Sequence, residues 1–111
     1  MNWKRLSHVL FLLISICVSP LSNADTAWID VRSKLEHNID SIQGDLRISH
    51  NDIVQGINEL FPDKHTEIYL YCRSGRRAGK AMTALKKAGY TRVSNMSSIE
   101  NARTKRGPNT K

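Results

Sequence analysis

Tyr69-Leu70-Tyr71-Cys72-Arg73-Ser74-Gly75-Arg76-Arg77-Ala78-Gly79 is the most informative stretch of this chain. Glu67 to Tyr71 is apolar, aromatic and partly β-branched, which predicts a buried strand ending at Cys72. Arg73 to Arg76 forms a tight polar loop. From about Arg77 to Ala88, the residues Ala78, Ala81, Met82, Leu85 and Ala88 share one helical face, and Gly89 is a stop signal. A strand that passes straight into a helix in this way delivers its cysteine to the carboxyl edge of a parallel sheet, where open α/β folds bind ligands. Loop amides can point inward there, and the helix N-terminus adds partial positive charge. The pattern therefore predicts an anion cradle with a sulfur at its centre. Arg73, Arg76 and Arg77 add to it, so thiolate is favoured over thiol. Cysteines at helix N-termini beside cations can titrate as low as ~3.5–7.5. The same cradle suits an anionic persulfide and the oxygens of a small oxyanion.

Strands and helices alternate on both sides of this stretch. Ala27-Trp28-Ile29-Asp30-Val31 reads as a buried strand, and Ser33 to Asn38 as a short helix with Ser33 as its cap. Ser41 to Gly44 is a turn, and Asp45 to Ile48 alternates like a short strand. Ser49-His50-Asn51-Asp52 has a capping-box pattern with Asp at its end. Ile53, Ile57, Leu60 and Phe61 then mark a helical face, and Gly56 counts against that helix. Thr91 to Ser94 predicts a further strand, Ile99 to Lys105 a helix, and a polar tail closes the chain. The expected fold class is α/β: a single small domain with a mainly parallel sheet flanked by helices.

The 111 residues allow one domain at most, and the start of the chain reads differently from the rest. Lys4 and Arg5 precede the apolar run Val9 to Val18, Pro20 breaks it, and Ser22-Asn23-Ala24 supplies small residues at the −3 and −1 positions. This is the layout of a secretory signal peptide cleaved after Ala24, leaving a domain over 25–111. The run is shorter than the ~20 residues that span a bilayer, so no stable membrane insertion is expected after cleavage. Cys17 lies inside the run without the small neighbour that lipidation wants. The mature chain then carries Cys72 alone, which excludes an internal disulfide and leaves no resolving thiol for redox work. The full chain's formal charge of +7 falls to +5 on loss of the two charges of Lys4 and Arg5. No aromatic residues interleave the basic ones, which argues against nucleic acid as a partner. His37, His50 and His65 show no metal-ligand spacing and read as surface or capping residues.

The cysteine loop resembles that of the rhodaneses, single-domain thiosulfate sulfurtransferases, and the chain is most similar to their small exported members. The likeness extends over nearly all of 25–111. It includes Trp28-Ile29-Asp30-Val31-Arg32, the block from Glu36-His37 through Ile42-Gln43-Gly44-Asp45-Leu46-Arg47-Ile48, and Ala88 to Val93 with Asn95-Met96. The resemblance implies that Cys72 accepts and donates sulfur as a persulfide. It implies that Arg73, Ser74, Gly75, Arg76 and Arg77 form the substrate cradle, Arg77 either facing the oxyanion or orienting the loop. Asp30 and Arg32 would be a supporting polar pair. It also implies a periplasmic monomer needing no metal or organic cofactor, with thiosulfate as the anionic donor and cyanide or a thiol as the acceptor. Three places depart from the family pattern. Ser41 stands for a histidine, Asp45 for a small residue, and Ser97-Ser98 for a pair of glycines.

Two other classes compete. Cysteine phosphatases share the cradle and the arginine, but place five residues between cysteine and arginine, whereas four separate Cys72 from Arg77. A non-catalytic anion- or partner-binding module of the same fold needs no reactive sulfur.

Overall fold

The computed structural model describes residues 26–108 and Thr110, so the expected leader lies outside the described residues. In chain order the elements are β1 (Thr26–Asp30), α1 (Lys34–Ile39), β2 (Leu46–Arg47), a 3-10 turn (His50–Asp52), α2 (Ile53–Leu60), β3 (Glu67–Cys72), α3 (Arg76–Lys87), β4 (Val93–Ser98) and α4 (Ile99–Arg106). The four strands form one sheet in the order β2-β1-β3-β4, and every pairing is parallel. This is the α/β architecture that the alternation of strands and helices predicts. Strand order reverses between β1 and β3, and the crevice at the carboxyl ends of such strands is where open sheets take ligands. Asp30 and Cys72 end those two strands, with Asp30 in register with Tyr71.

Strand residues point alternately to the two faces. One face sends Ala27, Ile29, Ile68, Leu70 and Cys72 into an apolar cluster with Ile53 and Ile57 of α2 and Ala78, Ala81 and Leu85 of α3. The other sends Trp28 and Tyr71 against Ile42, Met96 and the α4 residues Ile99 and Ala102.

Local chemistry explains where the elements differ from sequence expectation. Ser49 does not form a capping box: its Oγ accepts from the Asn51 N–H at 3.3 Å, and the Asp52 N–H goes to the Ser49 carbonyl at 2.8 Å. The neighbouring amides of Ile48 and His50 donate to the carbonyls of Asp30 and Val31, and beside this anchorage the first turn is 3-10. The reciprocal box lies instead at Ser33–Glu36, where the Ser33 N–H donates to Glu36 Oε1 at 2.9 Å and the Glu36 N–H donates to Ser33 Oγ at 3.2 Å. Gly56 has a packing role in α2, since a Cβ there would lie 2.8 Å from Ile48 Cγ2. β4 starts at Val93 and runs to Ser98, beyond the expected Thr91–Ser94, because pairing with β3 holds a polar segment that lacks its own strand pattern. Its pairing shifts between Leu70↔Asn95 and Cys72↔Ser98, so β4 carries an extra residue just beside the cysteine.

Candidate active site

Cys72 is the last residue of β3 and has no solvent exposure. The sulfur therefore lies on the floor of the loop instead of at an open mouth. Its surroundings are polar on one side. Sγ accepts the Gly75 N–H at 3.0 Å and lies 3.5 Å from the Ala78 N–H donor. Gly75 makes this possible. Its φ of 95° lies in the left-handed region that side-chain-bearing residues avoid, and it turns the chain so that its amide faces back to the sulfur. The Gly79 N–H closes the turn on the Gly75 carbonyl at 2.8 Å. The α3 N-terminus is thus aimed at Sγ, and its partial positive charge favours an anion there.

The five cradle residues predicted from sequence separate by environment. Arg73 and Arg76 are exposed, Arg73 to 74%. Ser74 is exposed and Gly75 half-buried. Arg77 is drawn away from solvent into a two-pronged pair with Glu36 of α1, through Nη1–Oε1 at 2.7 Å and Nη2–Oε2 at 2.9 Å. Arg73 Nε approaches the same carboxylate at 4.0 Å. The Arg77 hydrogen bonds outweigh partial burial and hold the Glu36 carboxyl well below the usual range, and the Glu36 carboxylate in turn raises Arg77. A cation at a helix N-terminus opposes the dipole, and Glu36 supplies the compensating negative charge. The pairing turns the Arg77 guanidinium toward Glu36 of α1.

Asp30 and Arg32 form a buried pair. Arg32 Nε and Nη2 donate to Asp30 Oδ1 and Oδ2 at 2.9 and 2.8 Å, and the Arg32 N–H also donates to Oδ1 at 2.9 Å. Arg32 Nη2 also meets the Asp40 carbonyl at the end of α1. His37 Nδ1 lies 2.9 Å from Asp30 Oδ2, so this histidine is an anchor of α1 and not the surface or capping residue expected. Burial pushes the Asp30 carboxyl up, but the hydrogen bonds from Arg32 and then His37 prevail and leave it below its ordinary value. These bonds reach α1 and not the cysteine loop. Asp30 and Arg32 therefore fix α1, and α1 presents Glu36 to Arg77.

A model of the rhodanese-like domain matches residues 17–98. The chain belongs to the rhodanese-like family. Over 73 residues it is 33% identical to the thiosulfate sulfurtransferase PspE of Escherichia coli (strain K12), covering 66% of this chain and 70% of PspE. A solved structure described as a rhodanese with anions from E. coli superposes with a TM-score of 0.65 at 32% identity, covering 68% of this chain and 89% of that one. A rhodanese-like domain of the Anabaena Alr3790 protein superposes with a TM-score of 0.66 at 24% identity, over 78% of this chain and 98% of its own, and supports the fold alone. The rhodanese family places the chain in the sulfurtransferase class.

The departures of this rhodanese domain from its family pattern fall in two places. Ser41 and Asp45 lie toward α4. The Ser41 carbonyl accepts from Arg103 at 3.1 Å, and Asp45 Oδ2 accepts from Tyr71 Oη at 2.6 Å and Arg106 Nη1 at 2.7 Å. Ser97 and Ser98 lie beside the cysteine loop. Ser98 caps α4, its Oγ accepting the Asn101 N–H at 3.0 Å. Ser97 has a φ of 70° and is the non-glycine residue with positive φ among the described residues. Sequence reading missed two contributors to the rhodanese loop. Glu36 was legible as the fourth residue of Ser33-x-x-Glu, a box that sequence reading sought at Ser49. Asn95, whose Nδ2 donates to the Gly75 carbonyl at 3.0 Å, carries no local signal because its partner is twenty residues away.

Proposed function

We propose that this rhodanese domain is a thiosulfate sulfurtransferase that works by double displacement through Cys72. The observation that carries the reading is the pair of amides, from Gly75 and Ala78, directed at Cys72 Sγ. An amide-lined site of this kind stabilises a sulfur anion and loses nothing to reorganisation during reaction. In the first step the Cys72 thiolate attacks the sulfane sulfur of thiosulfate. The S–S bond breaks, and sulfite leaves with the electron pair. A persulfide remains, its outer sulfur anionic. In the second step cyanide or a cellular thiolate attacks that outer sulfur, and the Cys72 thiolate is regenerated. No proton, metal or redox partner is consumed in the exchange with cyanide. Arg73 and Arg76, exposed at the rim, attract the dianionic donor, while Arg77 and Glu36 hold the loop in shape. In this proposal a leader cleaved after Ala24 exports the chain, which works as a monomer in the periplasm. Among the described residues no helix is long and apolar enough to cross a membrane.

The test is direct. Purified protein mixed with thiosulfate should gain the mass of one sulfur atom and lose it on addition of cyanide, with thiocyanate appearing in equal amount. Cys72→Ser should keep the fold and show neither event. The full burial of Cys72 favours one rival, a binding module whose sulfur is never reached. An unchanged mass in the parent protein would select that rival.

A further inference from the structure

Beside the cysteine loop, β4 presses a serine against the cradle in a backbone conformation that serine rarely adopts. Ser97 sits in the pairing irregularity, one residue before Ser98, the partner of Cys72, with φ at 70°. Asn95 holds it there. Its Oδ1 accepts the Ser97 N–H at 2.8 Å, while its Nδ2 donates to the Gly75 carbonyl at 3.0 Å. One side chain thereby ties the bulge of β4 to the residue whose own N–H reaches Cys72 Sγ. The contact is close. A Cβ built on Gly75 would lie 3.2 Å from Ser97 Oγ and 3.3 Å from Ser97 Cα. Ser97 itself is exposed. Its hydroxyl therefore lies on the solvent side of the cradle wall, against Gly75, the residue whose amide contacts the sulfur. Glycine would relieve the positive φ, yet the chain carries a hydroxyl there.

We propose that Ser97 is a specificity-determining residue, its hydroxyl donating a hydrogen bond to an oxygen of an oxyanionic sulfur donor as that donor settles over Cys72. The inference rests on the sulfur-transfer reading above and names the part of the donor that the site selects. A donor with a sulfonate-like group gains this bond, whereas a donor made of sulfur alone does not. The bond is made on binding and kept through attack, so its loss raises KM and leaves kcat nearly unchanged.

Ser97→Gly and Ser97→Ala test this together. The first relieves the backbone and removes the hydroxyl, and the second removes the hydroxyl alone. Both should raise KM for thiosulfate about tenfold or more, the worth of one hydrogen bond to a charged group, with kcat within about twofold of the parent. Loading of Cys72 by inorganic polysulfide, followed by intact mass, should respond equally in parent and variants. Equal KM for thiosulfate in all three proteins overturns the inference alone. So does an equal shift for both donors, since that marks Ser97 as a wall of the loop. A parent inert toward thiosulfate overturns both this inference and the sulfur-transfer reading beneath it.

Discussion

The two faces of the sheet are built by different physics, although the same strands supply both. Toward α2 and α3 the contacts are aliphatic: Ile29, Ile68, Leu70, Ile53, Ile57 and Leu85 are fully or almost fully buried against one another. Toward α1 and α4 the face holds Asp30, Arg32 and the hydroxyl of Tyr71, each with a charged or polar partner. Adjacent residues divide between them, Ile29 and Leu70 to the first face and Asp30 and Tyr71 to the second. Apolar contact is non-directional and tolerates small shifts, whereas a two-pronged carboxylate–guanidinium pair fixes distance and angle. The directional face anchors α1, and α1 positions the cysteine loop through Glu36. Cohesion and orientation are in this way assigned to opposite sides of one sheet.

Leu70→Ala and Asp30→Asn break the two sides separately and should give the largest effects. Removing Leu70 leaves a cavity in the aliphatic face and should cost about 2–5 kcal/mol. Replacing Asp30 strips Arg32, 5% exposed, of its charged partner, and should cost about 3–5 kcal/mol. Urea midpoints at pH 7 and at about pH 2–3 tell the mechanisms apart. The folded-state pKa of Asp30 is depressed, so its contribution is full above the unfolded value of about 3.9 and is lost as pH falls through the folded value. The gap between the parent and Asp30→Asn should therefore shrink in acid, while the gap to Leu70→Ala should not. Equal pH behaviour of the two variants would mean that the lost acceptor geometry facing Arg32, and not the charge of Asp30, sets the cost.

The aliphatic face was legible in the sequence and the directional face largely was not. Ile68, Leu70, Ala78, Ala81 and Leu85 declare themselves through local periods of two and of 3.6, and those periods suffice to predict β3, α3 and a parallel sheet. Cys72 and its loop were legible for the same reason, because strand, loop and helix are contiguous. The Glu36–Arg77 pair spans forty-one positions, and Asp45–Arg106 spans sixty-one, so no window of local sequence contains either. The Asp30–Arg32 pair was legible as two residues, but its attachment to His37 and the end of α1 was not. β4 shows a further limit: Ser94 to Ser98 is a strand only because β3 lies beside it.

Glu36→Gln sharpens the link between orientation and chemistry, and its effect on stability is intermediate. The substitution keeps the shape and removes the charge that answers Arg77. Hydrogen bonds to charged groups are worth about 1.5–3 kcal/mol, and partial exposure of both partners sets the expected cost at the lower end. Loss of loop geometry should lower thiosulfate kcat/KM by about tenfold or more, mainly through kcat, since small misplacement of a reacting group is costly. Should KM fall while kcat holds, the freed Arg77 would be a donor-binding group, and the separation of Arg77 from Arg73 and Arg76 would be wrong.

Tyr71→Phe probes whether the directional face works as one unit, and it should give the smallest effect. Tyr71 Oη donates to Asp45 Oδ2 at 2.6 Å, and Asp45 keeps Arg106 at 2.7 Å when the hydroxyl is gone. Burial first, and then the bond to Asp45, raise the phenol above its ordinary range, so it remains a neutral donor at any working pH. Loss of this one bond to a charged group should cost about 1.5 kcal/mol, the lower end of its range, because Arg106 keeps the carboxylate paired. Turnover should be unaffected, because Tyr71 projects to the face opposite the sulfur of its neighbour Cys72. A cost near 3 kcal/mol would show that Tyr71, Asp45 and Arg106 are cooperative with Arg106 stacked over Trp28 at 4.3 Å. A fall in turnover at unchanged stability would be more consequential. It would mean that strain on the α4 side crosses the sheet to the cysteine loop, and that orientation is not supplied by α1 alone.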